Sequence, residues 1–278
     1  MTREQKYEAF KALHERKEIF IIPNPWNAGT AKILTALGFE ALATTSAGYA
    51  FSCGREDSTA SLNRTGVLDN AREVVEATPL PVSADLQDGF GPSPEFCAET
   101  IRLASAVGLA GGSIEDATGD PNAPIYDFQL AVERVAAAAE AAQTHQFLLT
   151  ARAENFLYDR PNLEDTIKRL QAFAEAGADV LYAPGLPNLK AIREVCTSIS
   201  KPVNVLMGLQ SATFSVEELA AAGVKRVSVG GSLARAALGA FVRAAREIKD
   251  KGTFTYANDA ISHTEMTAYM AEPSTKLQ

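Results

Sequence analysis

The sequence predicts a (β/α)8 TIM barrel, and three observations carry that prediction. A helical segment ending in glycine runs straight into a strand-like stretch four times, at 34–45, 103–116, 173–184 and 219–231. The glycines are Gly38, Gly108, Gly177 and Gly223. Each suits the left-handed residue that closes a helix cheaply. Eight short runs read as strands, and most are continuously apolar or small rather than alternating, as strands covered on both faces of a parallel sheet are. Helical patterns separate those runs, and eight strands within roughly 210 residues favour a closed barrel over a doubly wound sheet.

The elements follow in order. The opening MTREQKYEAFKALHERKE is charged and amphipathic, unlike a signal peptide. Strand 19–23 (IFIIP) comes next, then 40–45 (EALATT) after Gly38 and 81–85 (PVSAD). Ser93-Pro94 offers a helix cap followed by proline at the first helical position. Strand 110–115 (AGGSIE) leads to the helical AVERVAAAAEAA at 131–142. Strand 146–151 (QFLLTA) leads to NLEDTIKRLQAFAEA, with Asn162 as its cap. Strands 179–183 (DVLYA), 202–206 (PVNVL) and 224–229 (VKRVSV) complete the set. No low-complexity linker interrupts the chain, so 1–278 reads as one barrel domain. The segment after Gly252 fits no further βα unit; 253–278 reads as an extension packed on the barrel or on a neighbouring subunit.

Composition narrows the function. A net charge of −8 argues against nucleic-acid or acidic-membrane partners. No apolar run approaches the roughly 18 residues of a membrane span. Cys53, Cys97 and Cys196 have no paired spacing, which suggests reduced thiols in a cytoplasmic protein. His14, His145 and His263 lack zinc spacing.

A TIM barrel carries its active site at the C-terminal ends of its strands. Those ends hold Asp85 (strand 3), Glu115-Asp116 (strand 4), Arg152 and Glu154 (strand 5), Tyr182 (strand 6) and Asn204 (strand 7). Carboxylates converging without lysines repel one another, and a hard divalent cation, Mg²⁺ or Mn²⁺, relieves that repulsion. An arginine opposite would grip an anionic substrate. Each residue also has a plainer reading. A strand-end acid can cap the next helix, Arg152 and Glu154 can pair with each other, and Gly89 and Gly91 can simply make a turn. Taken alone, the residues give a metal-assisted barrel with an anionic substrate.

Three motifs, SADLQDGFG, GSIEDATGD and LTARAENF, resemble the isocitrate lyase/phosphoenolpyruvate mutase superfamily, with matching order and spacing over roughly residues 19 to 245. Within it, the similarity is to the 2-methylisocitrate lyase-like and carboxyvinyl-carboxyphosphonate phosphorylmutase-like subgroup. The resemblance implies that Asp85 ligates Mg²⁺, that Glu115 holds it through water, and that Asp57 points at it. It implies that Arg152 binds the substrate anion, that Thr45, Ser46 and Ala47 hold a carboxylate, and that Asn204 touches substrate. It also implies subunits that exchange the eighth helix, hence a homo-oligomer, tetramer or dimer.

The departures are specific. Gln87 stands where the family has a second Asp, and it still suits a metal-bound water. The loop 117–128 has neither the lyase Cys nor the mutase Lys. Pro184 stands where relatives place His or Glu. The acid or base must then be Tyr49, Asp57, Asp120, Tyr126 or Tyr182. The expected function is a Mg²⁺-dependent carbon–carbon lyase on a small 2-keto or 2-hydroxy carboxylate, through an enolate. Oxaloacetate decarboxylation and 2-methylisocitrate-like cleavage are the leading versions. The alternatives are a C–P mutase or hydrolase on a phosphonopyruvate-like compound and a non-catalytic keto-acid binder. Loop 117–128, with Gly119, Pro121 and Pro124, reads as a lid over the mouth.

Overall fold

A computed structural model describes residues 1–58, 61–208 and 213–271. It contains eight parallel strands: β1 (Phe20–Ile22), β2 (Leu42–Ala43), β3 (Val82–Asp85), β4 (Gly111–Glu115), β5 (Leu148–Arg152), β6 (Val180–Tyr182), β7 (Val203–Leu206) and β8 (Arg226–Ser228). All eight expected strands are present. They pair in the order β1-β8-β7-β6-β5-β4-β3-β2.

The seam between β1 and β2 closes differently. Ala43 N–H donates to Pro23 C=O at 3.0 Å. Asn24 staples the rest: its Nδ2 donates to Thr44 C=O, and its Oδ1 accepts the N–H groups of Val229 and Gly230. One buried amide thus joins the ends of β1, β2 and β8.

The helices are α1 (Arg3–Glu15), α2 (Ala28–Ala36), α3 (Ser46–Ser52), α4 (Arg64–Glu76), α5 (Pro94–Ala106), α6 (Phe128–Thr144), α7 (Leu163–Glu175), α8 (Leu189–Ser198), α9 (Val216–Ala221), α10 (Ser232–Lys251) and α11 (His263–Met270). The expected left-handed glycines follow α2, α5, α7 and α9, with φ of 86°, 94°, 107° and 96°. Asn162 caps α7 through the Asp165 N–H. Pro94 sits in the first turn of α5, although the Ser93 side chain makes no capping bond. β2 stops short of the expected 40–45 because Thr45 turns the chain and caps α3 through the Gly48 N–H.

Side chains alternate more than the sequence suggested. Val82, Leu149, Val205 and Val227 join the core beneath the helices. The inward positions between them are polar: Ser83, Thr150, Asn204, Arg226 and Ser228 are all buried. The floor of the barrel is apolar. There α1 delivers Phe10 and Leu13 against Phe20, Ile22, Ala41, Ala110 and Leu148. Close approach explains Gly111, where a Cβ would meet Leu148 C=O at 2.7 Å and Phe10 at 2.9 Å.

The tail is no βα unit. α11 lies against α2, where Lys32 Nζ donates to Met270 C=O. Of the 20 residues of α10, Ala234 is the buried one. Residues 272–278 of the expected extension lie outside the described residues. No disulfide links Cys53, Cys97 or Cys196, and no described helix is long and apolar enough to cross a membrane.

Candidate active site

The strand ends converge on one guanidinium. Arg152 Nη1 lies 3.1 Å from Asp85 Oδ1, Nη2 lies 3.1 Å from Glu115 Oε2, and Nε lies 2.7 Å from Glu154 Oε1. Parallel pairing places them so: Asp85 registers with Ser113, and Glu115 with Arg152. Below, the Arg152 guanidinium sits 5.0 Å from the centre of the Tyr182 ring. The pairing of Arg152 with Glu154, the plainer reading of those two residues, is therefore real, and Asp85 and Glu115 share the same cation.

The charges do not balance. Asp85, Glu115 and Glu154 set three negative charges against one positive. Burial pushes Glu115 well above the usual carboxylate range against the pull of Arg152, and Glu154 and Asp85 add to the push. Burial raises Glu154 in the same way. Burial works against the charge of Arg152, yet Glu154, Glu115 and Asp85 hold it protonated.

Asp85 is held from its other side by the Ser46 N–H at 3.2 Å and the Ser46 hydroxyl at 2.8 Å, both on Oδ2. Thr44 accepts the Asp85 N–H. In this arrangement the Ser46 donors, expected to hold a substrate carboxylate, orient Asp85 instead. Thr45 caps α3 and lines the cavity. Ala47 packs where a Cβ on Gly231 would fall, 3.0 Å away. Asp57 is exposed over much of its surface, but its carboxylate is desolvated. Burial and then the like charge of Asp85 raise it, while the Arg152 charge lowers it. Asp57 therefore joins the mouth.

Gln87 is buried and takes φ of 48°, a left-handed conformation rare outside glycine. Its C=O accepts the Glu115 N–H at 2.9 Å, tying β3 to β4. Its side-chain Oε1 has no hydrogen-bond partner. Gly89 follows at φ of 81°, where a Cβ would meet Cys97 Sγ at 2.9 Å. The turn therefore needs glycine for both conformation and space.

Of four other expected residues, three fall away from the mouth. The Tyr49 hydroxyl lies beside Gly66, on the α4 side rather than at the mouth, 3.6 Å from where a Cβ on Gly66 would fall. Tyr126 is buried under Arg134, 4.0 Å from its guanidinium. Asp120 is exposed at a turn, where Oδ1 accepts the Asn122 N–H. Asn204 lines the cavity, but its Oδ1 accepts from Arg226 and its Nδ2 donates to Ser228. The corrections share one cause, because the sequence places a residue near a strand end without saying which way its side chain turns.

The expected lid is a pinned hairpin. Ala117 bridges Ile125, Thr118 N–H donates to Pro124 C=O, and Tyr126 N–H donates to Asp116 C=O. Asp116 itself is structural. Its carboxylate accepts the Glu154 N–H and pairs with Arg169 at 3.0 Å.

Residues not singled out from sequence also reach the mouth. Asn24, Ser228 and Arg226 line a cavity of about 60 Å³ together with Asp85, Arg152 and Tyr182. The Tyr158 hydroxyl is pushed up to about 12 by burial and then by Glu115 and Glu154, so it lies within their field. The alternation of Arg226 and Ser228 around Val227 is the signal that could have found the strand-8 pair.

The residues fit a divalent cation. Ionised together, the three carboxyls outnumber Arg152 by two negative charges, which a cation would offset, and Gln87 offers an unsatisfied oxygen. Among the described residues no three His, Cys, Asp or Glu side chains form a ready-made cage, because Arg152 sits between Asp85 and Glu115. Mg²⁺ suits such a site, since it takes one or two carboxylates and completes its shell with water and substrate oxygens.

The sequence profile of the family described as phosphoenolpyruvate phosphomutase matches residues 10–249. The chain belongs to the isocitrate lyase/phosphoenolpyruvate mutase superfamily. A protein described as a lyase/mutase from Burkholderia cenocepacia J2315 is 55% identical, with a TM-score of 0.95 over 98% of this chain and 97% of that one. A second protein from that organism, described as a phosphonomutase, is 32% identical, with a TM-score of 0.78 over 89% of this chain and 99% of its own. The 2-methylisocitrate lyase of Escherichia coli K12 is 28% identical over 226 residues, 78% of this chain and 75% of its own. The superfamily barrel described here is thus an enzyme of the lyase/mutase kind.

Proposed function

We propose that the protein is a Mg²⁺-dependent carbon–carbon lyase acting on a small 2-keto or 2-hydroxy carboxylate through an enolate. The observation that carries this reading is the cluster on Arg152: the buried Glu115 and Glu154 and the half-buried Asp85 around one guanidinium, open to a small polar cavity. Asp85 would hold the ion directly, with Glu115 and Gln87 holding its waters. When bound, Mg²⁺ supplies positive charge where an enolate develops.

The chain's own groups do the rest. Arg152 binds the substrate carboxylate, and Glu154 pins its Nε so that the terminal nitrogens form a fixed fork. Ser46 keeps Asp85 oriented. Asp57 and Tyr182 are the titratable side chains at the mouth suited to handle a proton. Oxaloacetate decarboxylation and 2-methylisocitrate-like cleavage lead, and the small cavity suits the smaller substrate, oxaloacetate, better. The phosphonomutase relative favours a second reading, C–P chemistry on a phosphonopyruvate-like compound. The absence of a lysine in loop 117–128 weighs against it.

The test is turnover of oxaloacetate, 2-methylisocitrate and phosphonopyruvate, with and without Mg²⁺. Pyruvate formation from oxaloacetate or 2-methylisocitrate supports the lyase, and phosphate release or phosphoenolpyruvate formation from phosphonopyruvate supports the second reading. Binding without turnover leaves a keto-acid binder. The Asp85→Ala variant should stay folded and lose Mg²⁺ affinity by more than the roughly 10–100-fold that an outer-shell loss costs. Unchanged affinity by calorimetry would sink the metal assignment.

A further inference from the structure

A second guanidinium stands outside the barrel wall. Arg169, on α7, is 6% exposed and lines a groove between hairpin 117–128 and the start of α7 rather than the mouth cavity. Its fork holds two carboxylates. Nε donates to Asp165 Oδ2 at 2.9 Å, and Nη1 donates to Asp116 Oδ2 and to Tyr126 C=O, both at 3.0 Å.

Each carboxylate then holds one of two consecutive residues. Asp116 Oδ1 accepts the Glu154 N–H at 2.8 Å, and Asp165 Oδ2 accepts Asn155 Nδ2 at 2.8 Å. Glu154 and Asn155 follow closely on the end of β5, and each is 1% exposed. The backbone of Asp116 adds to the hold, since its N–H donates to Arg152 C=O at 3.3 Å. On the inner side, Glu154 Oε1 takes the Arg152 Nε–H at 2.7 Å. Measured hydrogen bonds thus connect the outer guanidinium to the inner one.

Stability alone accounts poorly for this brace. Desolvation offsets most of what a buried ion pair gains. The brace also leaves Asn155 Oδ1 buried without a partner, which costs stability. Of the three carboxylates on Arg152, Asp85 and Glu115 are the ones suited to a metal. Glu154 is the one left to hold Arg152 alone.

The geometry points to Arg169 as a positioning residue: through Asp116 and Glu154 it sets the direction in which the Arg152 fork meets a bound carboxylate. Arg169 itself touches neither substrate nor metal. The inference rests on the keto-acid reading of the mouth.

The test keeps every charge and removes only the outer fork. In Arg169→Lys a single ammonium replaces the planar group and cannot hold both carboxylates in the same directions. The first readout needs no ligand. The Arg152 Nε–H signal in nitrogen-15 NMR, identified by its loss in R152K, should exchange with water about 10-fold faster in R169K than in wild type. D116N, which presents an NH₂ to one of its two donors, should speed that exchange likewise. It keeps the test open where R169K fails to fold.

The second readout is oxalate affinity by calorimetry in Mg²⁺. R169K should bind oxalate about 10-fold more weakly, the cost of one misdirected charge-assisted bond. R152K has no fork to aim, so R169K should cost nothing further in that background. Unchanged Nε–H exchange, unchanged oxalate affinity, or losses that multiply in the double variant would overturn the inference. A lower urea midpoint with both readouts unchanged would make Arg169 merely structural. If wild type turns over no keto acid, the lyase reading fails, while the Nε–H exchange and the oxalate affinities still decide this one. No oxalate binding by wild type would overturn it.

Discussion

Arg152 does two things at once, because its planar fork meets Asp85, Glu115 and Glu154 in three directions. A lysine offers one point charge and could not hold all three. His14 shows the opposite economy. It is wedged edge-on between Phe10 and Phe20, with Arg226 beside it. Burial, then the Arg226 charge, lowers it to about 3 from 6.5. The folded ring is therefore neutral where the unfolded ring binds a proton. The stability this contributes is present above pH 6.5 and is lost as pH falls toward 3. The slope is at most about 1.4 kcal/mol per pH unit. The His14→Gln variant, which keeps an acceptor for Arg226, should show a flatter loss of stability between pH 6.5 and 3 in urea midpoints. Parallel curves for the two proteins would show that His14 does not titrate on unfolding.

At the scale of elements, the strand-to-helix turns decide what the mouth contains. The β2–α3 turn spends Ser46 on Asp85, and the turn after β3 spends its strained backbone at Gln87 on tying β3 to β4. Hairpin 117–128 is closed by a bridge and by the Thr118–Pro124 and Tyr126–Asp116 bonds. Its Tyr126 is locked under Arg134. A segment tied at both ends moves as a unit or not at all. Proteolysis within 119–123 should therefore run at the same rate with and without Mg²⁺ and oxalate. Protection by those ligands would restore the role of a lid.

At the scale of the whole molecule, α10 stands out. Leu238, Phe241, Val242 and Ile248 are exposed along it, and Phe254 and Ile261 follow in the tail. Phe241 is 69% exposed and Phe254 64%. A stripe of this kind on one helix calls for cover, and we propose a second copy of this chain as that cover. Light scattering at micromolar concentration should give a particle of at least twice 29.6 kDa. The Phe241→Asp variant should shift it toward the monomer. A 29.6 kDa particle for wild type would rule the assembly out.

The sequence by itself determined the eight strands, their order and the residues at their ends. Strand position follows from apolar runs and the glycines that close the helices before them, and both are local. Asp85, Glu115 and Arg152 were legible for the same reason, since a residue that ends a parallel barrel strand must stand at the mouth. Only the tertiary structure decided which way side chains turn and what they meet. Tyr49 turned toward α4 while Tyr182 turned inward, though both lie near strand ends. Arg226 finds its acceptor on His14, 212 residues away in the chain. No local pattern encodes such a partner. It exists because closing the sheet brings the floor helix, β5, β7 and β8 around one buried charge that must be hydrogen-bonded wherever the barrel places it.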